Sequence, residues 1–181
     1  YLAHGRTIDT YAEVISDTAI EGYTVMAPTI RRPKPVTVYF VAHFDQPVEH
    51  VGGWKNKLLM EHKVSQIEGE STGIYAVFPE STDILKMKVA ISYTSIENAR
   101  LNMKYELPHW DFERVKQASF DVWNQWLNRI NVSGGTRQQQ VKFYTDLWHA
   151  LQGRRIVSDV NGDYIDNTGN EPIIRRVRMQ H

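Results

Sequence analysis

The chain has 181 residues, and its 21 lysines and arginines balance 21 aspartates and glutamates. Such a balance gives no electrostatic argument for a nucleic-acid or membrane-surface partner, and no apolar run approaches the ~18 residues of a membrane span. Cysteine is absent, which removes disulfides, thiolate metal sites and thiol nucleophiles while leaving the compartment open.

A chain of this length forms one domain or one and a half, burying roughly 70% of its unfolded surface. Tyr1 opens it with neither a start methionine nor a signal-peptide pattern, so a processed product or an excised piece is expected. Residues 1 to 93 read as strands separated by turn chemistry. Ile8 to Ile15 and Ile20 to Met26 alternate weakly, and Val36 to Phe44 is the strongest strand. Pro28, Pro33 and Pro35, with Arg31, Arg32 and Lys34 among them, make the preceding loop one that cannot join a ladder. Gly52-Gly53 marks a break, after which Lys57 to Gln66 and Gly73 to Phe78 can pair. In Ile84 to Tyr93, the residues Leu85, Met87, Val89, Ile91 and Tyr93 share one side, as in a half-buried strand. Strands with turn signals about every ten residues predict an antiparallel β-sandwich, whole or partial.

Helical periods then replace the alternation. Thr94-Ser95-Ile96-Glu97 has the form of a capping box and opens a helix to about Tyr105, ended by Pro108. Asp111 is a natural N-cap for a second helix over Phe112, Val115, Ser119, Val122, Trp123, Trp126 and Ile130. Its two tryptophans, with Phe120 and Leu127, predict core packing and cover on more than one side. After Ser133-Gly134-Gly135, a second capping box at Thr136 to Gln139 opens a third helix, which Gly153 stops. Beyond it the chain is rich in turns, and Ile173 to Met179 is a strand or a cut end.

Local chemistry nominates several groups and sustains none. Asp159-Val160-Asn161-Gly162-Asp163 places oxygens at alternate positions, as a calcium loop does. However, Tyr164 stands where such a loop needs glycine, and Asn170 stands at its twelfth position with Glu171 one residue late. An Asx-turn built by these side chains is the better reading. His43, Asp45 and His50 lack metal-ligand spacing and are interrupted by Gln46-Pro47. Glu68 with Glu70 and Asp111 with Glu113 are pairs that any acid-rich chain contains. Ser92, Ser95 and Ser119 lack a nucleophile elbow, and no glycine-rich phosphate loop occurs.

The order of several runs is more informative. Ile20-Glu21-Gly22-Tyr23 and Val38 to Pro47 come first, followed by Ile91 to Arg100. Trp110-Asp111-Phe112 follows with Trp123-Asn124 and Leu127, then Phe143 to His149 and Ser158 to Tyr164. In that order, over most of residues 18 to 166, the chain resembles glycoside hydrolase family 92, the calcium-dependent exo-α-mannosidases found largely in bacteria. The resemblance implies a partial antiparallel β-sandwich over residues 1–93, a helical linker over 94–134, and the truncated start of an (α/α)6 catalytic barrel over 135–181.

The resemblance also implies an inverting enzyme that removes terminal α-linked mannose from glycans. One carboxylic acid protonates the leaving oxygen while a second carboxylate activates water. Bound calcium contacts the sugar hydroxyls. The acid, the base and the calcium ligands belong to the barrel beyond His181, so no catalytic, substrate-binding or metal residue is assigned, and the chain alone is expected to be inactive and without a cofactor. It is expected to self-associate through the surface that the barrel covers, and the intact protein to be exported to the periplasm or cell surface. The competing readings are a carbohydrate-binding sandwich using Trp54, Tyr39 and Tyr75 as a platform, and a purely structural domain.

Overall fold

The computed structural model describes residues 6–61, 63–153 and 156–177. Strands β1 (Thr7–Ser16), β2 (Ala19–Met26) and β3 (Val36–Phe44) form an antiparallel meander. β4 (His50–Lys55), β5 (Leu58–Met60), β6 (Gln66–Glu68), β7 (Thr72–Val77) and β8 (Met87–Ser92) follow. They sort into a five-stranded sheet, in the order β6-β1-β2-β3-β8, and a three-stranded sheet, β5-β4-β7. Val14, Ile20, Phe40 and Phe44 on the first sheet pack against Val51, Ile74 and Ala76 on the second. This is the sandwich that the alternation predicts. The Phe44 and Phe78 rings meet edge to face at 5.1 Å.

The opposite face of the five-stranded sheet carries α1 (Ile96–Glu106), whose Ala99 and Met103 cover Val41 and Ala90. Val41 is 1% exposed; burying a valine to this degree contributes about 1.5–3 kcal/mol. A hairpin of β9 (Asp163–Asp166) and β10 (Ile173–Arg176) ends the described chain. Two compact units result. One comprises the chain up to Trp110 together with the segment from Val157, and the other is Asp111–Ile156.

Several expectations are revised. Strand β4 runs straight through Gly52-Gly53, where a break is predicted. Gly52 pairs with Tyr75 and Gly73 with Trp54, and a Cβ on Gly52 or Gly73 would come within 2.3 Å or 2.0 Å of the opposing ring. The aromatic rings lie across the glycines, which give the strand room for them. On β8 the apolar row is the exposed one: Met87, Val89 and Ile91 share the face of Phe40 and Phe44 but remain exposed, while Ala90 and Ser92 are buried on the α1 side. Alternation sets which residues share a face, and the position of α1 decides which face is covered. The N-cap of α1 is Ser95, not Thr94; its hydroxyl accepts from Asn98 N at 3.1 Å.

In the second unit, α2 (Phe112–Leu127) is capped by Asp111, and α3 (Arg137–Gln152) by the Thr136–Gln139 box, as their sequences predict. Trp123 and Trp148 join the helices with ring centroids 6.0 Å apart. The expectation that α2 is covered on more than one side does not hold. None of its residues is buried, and Phe120 and Trp126 remain 60% and 44% exposed. Two helices meet along one seam, and an apolar stripe wider than that seam stays in solvent.

Candidate functional site

The turn after α3 closes on itself. Gly162 N donates to Asp159 O at 2.8 Å, and Asp163 N donates to the Asn161 side chain at 3.0 Å, giving the predicted Asx geometry. Gly162 has φ +86, and a Cβ there would stand 2.5 Å from Val177 O, so both conformation and space demand glycine.

This turn presents Asp159, 4% exposed, to the junction of β8 and α1. Its Oδ2 accepts from Ser92 Oγ at 2.9 Å, from Thr94 Oγ1 and from Asn98 Nδ2 at 3.1 Å. Its Oδ1 accepts from Asn102 Nδ2 at 2.7 Å. Asn98 and Asn102 stand one turn apart on the same face of α1. Asn102 also donates to Ile91 O and accepts from Val160 N, both at 2.9 Å. One carboxylate thus ties a strand end, a helix and a distant turn together. Its burial is tolerable because polar donors replace the lost water.

A second carboxylate extends the cluster. Asp163 accepts from Arg176 Nε at 2.6 Å, Asn161 Nδ2 at 2.9 Å and Asn98 Nδ2 at 3.1 Å. The Arg176 hydrogen bond leads in holding its pKa down to about 2, against the opposing effect of desolvation. Asp166 is also held at about 2, first by the Thr168 hydroxyl and amide and then by Arg175. Glu21 on β2, 5% exposed, receives a two-pronged contact from Arg100 of α1, with Nε to Oε2 at 2.8 Å. These carboxylates are committed as acceptors. The arrangement is a structural clasp, unsuited to moving protons.

Two family models cover most of the chain. The glycosyl hydrolase family 92 N-terminal domain matches residues 1–92, and the family 92 catalytic domain matches residues 98–175. The chain belongs to glycosyl hydrolase family 92. Among solved structures, the family GH92 inverting mannosidase from Bacteroides thetaiotaomicron VPI-5482 superposes with TM-score 0.81 at 22% identity, over 94% of this chain and 23% of that one. The family glycosyl hydrolase ccman5 gives 0.80 at 20% identity, over 97% and 23%. A GH92 α-mannosidase from Bacteroides thetaiotaomicron in complex with mannoimidazole gives 0.77 at 21% identity, over 94% and 22%. At these identities the likeness speaks for the fold alone. The chain spans about a quarter of the length of the solved structures it matches. No curated protein matches it.

Within this family 92 chain, three of the six runs that carry the sequence resemblance meet in space. Ile20 to Tyr23 supplies Glu21, Ile91 to Arg100 supplies Ser92, Thr94, Asn98 and Arg100, and Ser158 to Tyr164 supplies Asp159, Asn161 and Asp163. From sequence, Asp159 reads as a calcium-loop-like oxygen or a turn former, and the resemblance sets its turn near the approach to the active site; none of these indicates its partners. The available signal was Asn98 and Asn102 at helical spacing after the strand-end Ser92.

The other candidates do not converge. His43 on β3 lies across from Lys88, and burial first and Lys88 second push its pKa down. Asp45 accepts from Lys86 N at 2.8 Å, and His50 belongs to the other sheet. Glu70 pairs with Arg6 at 2.5 Å and Glu113 with Lys116 at 2.8 Å, while Glu68 lies on β6 and Asp111 caps α2. Ser95 caps α1, and Ser119 is exposed on α2. Tyr39 stands on the five-stranded sheet, apart from Trp54 and Tyr75 on the three-stranded one. Among the described residues no three histidine or acidic groups assemble as a metal site. Calcium, which takes roughly six to eight oxygens, does not fit the Asp159–Asp163 turn, because the oxygens of both carboxylates face N–H or O–H donors.

Proposed function

We propose that this chain serves an inverting exo-α-mannosidase that hydrolyses terminal α-linked mannose from glycans, and that residues 6–177 supply its scaffold. The observation that carries this reading is the family match over residues 1–92 and 98–175. The inverting mannosidase and the mannoimidazole complex among the fold relatives support the choice of sugar and stereochemistry. Inversion needs a general acid and a general base about 6.5–9.5 Å apart, with water between them. The family resemblance assigns the reacting carboxylates and the calcium ligands to residues outside this chain, and the donors already bound to Asp159, Asp163 and Glu21 suit a scaffold role for the clasp. On this reading the 181-residue chain alone releases no mannose.

The intact protein is further proposed to be exported, and this chain to self-associate through the exposed apolar stripe of α2, including Phe112, Phe120 and Trp126. Sedimentation at rising concentration tests the association; a monomer throughout would refute it. The activity test is mannose release from α-linked mannobioses, with calcium and with chelator, comparing this chain and the intact protein. Calcium-dependent release by the intact protein alone is expected. A second reading, a non-catalytic carbohydrate-binding sandwich, draws on Trp54 and Tyr75 lying across Gly73 and Gly52. It is favoured if mannosides bind and neither protein releases mannose.

A further inference from the structure

A cleft of about 470 Å³ lies within the first unit, between β3, the segment joining β8 to α1, and the β9–β10 hairpin. Its volume falls within the roughly 300–1,000 Å³ of small-molecule sites. Val157 and Ile174 are among its apolar residues, and Tyr39 and Tyr93 bring aromatic rings to it. Thr37 and Asn167 bring polar side chains. Among the described residues, no lysine, arginine, aspartate, glutamate or histidine lines it. The nearby Lys34 ammonium is committed to the Asn167 and Gly169 carbonyls.

The hydrogen-bonding capacity around this cleft is unevenly spent. Thr94, which also lines it, is occupied by Asp159 and Asn98. The side-chain polar atoms of Thr37, Tyr39, Tyr93 and Asn167 have no hydrogen-bond partner among the described residues. A purely apolar ligand would cover these atoms without pairing them, at a cost. An ionic ligand would lose its water against walls that offer no counter-charge. A neutral ring with apolar C–H faces and peripheral hydroxyls satisfies both conditions, because the faces meet the rings and aliphatic side chains while the hydroxyls meet the four unspent groups.

We propose that this cleft, formed by residues of this chain, is a binding site for a neutral pyranoside. The choice of mannose as the sugar rests on the mannosidase reading above. The cleft also adjoins the clasp through Thr94, so that Asp159 positions one of its walls.

The test is a two-dimensional amide NMR titration of the 181-residue chain with methyl α-mannopyranoside, with mannose 6-phosphate and cyclohexanol as comparators. Millimolar binding of the mannoside is expected, with shifts at Thr37, Tyr93, Asn167 and Ile174, and weaker binding of both comparators. Tyr93→Phe and Asn167→Ala, with unchanged thermal melts, are each expected to weaken binding about 5-fold, the factor for one lost neutral hydrogen bond. Ile174→Lys, which places a charge in the cleft, should abolish it. An absence of shifts at these residues up to roughly 50 mM mannoside, well beyond millimolar affinity, would overturn the proposal. So would equal binding of cyclohexanol, or affinity indifferent to all three substitutions. Mannose release by the intact protein, measured in parallel, reports on the mannosidase reading separately: release without cleft binding overturns this inference and leaves that reading standing.

Discussion

Asp159 and Asn102 are 57 residues apart in the chain, yet their side chains meet at 2.7 Å in the interior. The contact joins a turn that follows the helical pair to a helix that precedes it. Both partners are nearly inaccessible, at 4% and 7% exposure, so the hydrogen bond replaces hydration that neither group can recover. The clasp is therefore the place where small changes should have large consequences.

Asp159→Ala removes the acceptor shared by Ser92, Thr94, Asn98 and Asn102 and leaves buried donors unpaired. A loss of at least about 3 kcal/mol is expected in urea denaturation. A loss below about 1 kcal/mol, the scale of a single exposed hydrogen bond, would mean that water enters and replaces the carboxylate.

Arg100→Ala strands Glu21, whose side chain is 7% exposed, while Arg100 itself is half exposed at 51%. The expected cost is about 3 kcal/mol, at the low end for a broken buried pair because solvent screens the arginine. Adding Glu21→Gln should restore much of that loss. A double-mutant cycle with no coupling would show that the two groups act independently.

The β9–β10 hairpin should be acid-sensitive. Folding lowers the pKa values of Asp163 and Asp166 to about 2, chiefly through Arg176 for the first and Thr168 for the second. Carboxylates depressed in this way contribute fully above their unfolded pKa of about 3.9, and the contribution is lost as pH falls towards 2. Carboxyl-carbon NMR should record both midpoints near 2. Arg176→Met should raise that of Asp163 and leave Asp166 in place; a common upward shift would point to unfolding of the hairpin.

Gly73→Ala should displace the Trp54 ring, since the added Cβ would fall 2.0 Å from it. A cost of about 1–3 kcal/mol, typical of overpacking, is expected together with a red-shifted tryptophan emission. The control Gly153→Ala meets nothing nearer than 3.9 Å and should leave both readouts unchanged.

The pattern of side chains was sufficient for element type in much of the chain. Val36 to Phe44 is a strand because its β-branched and aromatic residues suit a pleated surface, and Asp111 and Thr136 start helices because capping is a local interaction. The strand through Gly52-Gly53 was not legible, because its glycines are explained only by Trp54 and Tyr75, which reach them across the β4–β7 ladder. Similarly, Thr94 looks like a cap within its own tetrapeptide, but its hydroxyl is taken by Asp159, 65 residues away.

Periodicity, capping and the order of the family-like runs thus determined the strand-then-helix plan and the family, since each is a property of neighbouring residues or of their succession. The tertiary structure decided which side of β8 faces solvent, which turn clasps α1, and which polar groups remain unspent around the cleft. Those outcomes depend on contacts between residues distant in the chain. A sequence records the chemical capacity to form such contacts, and folding selects the partners that use it.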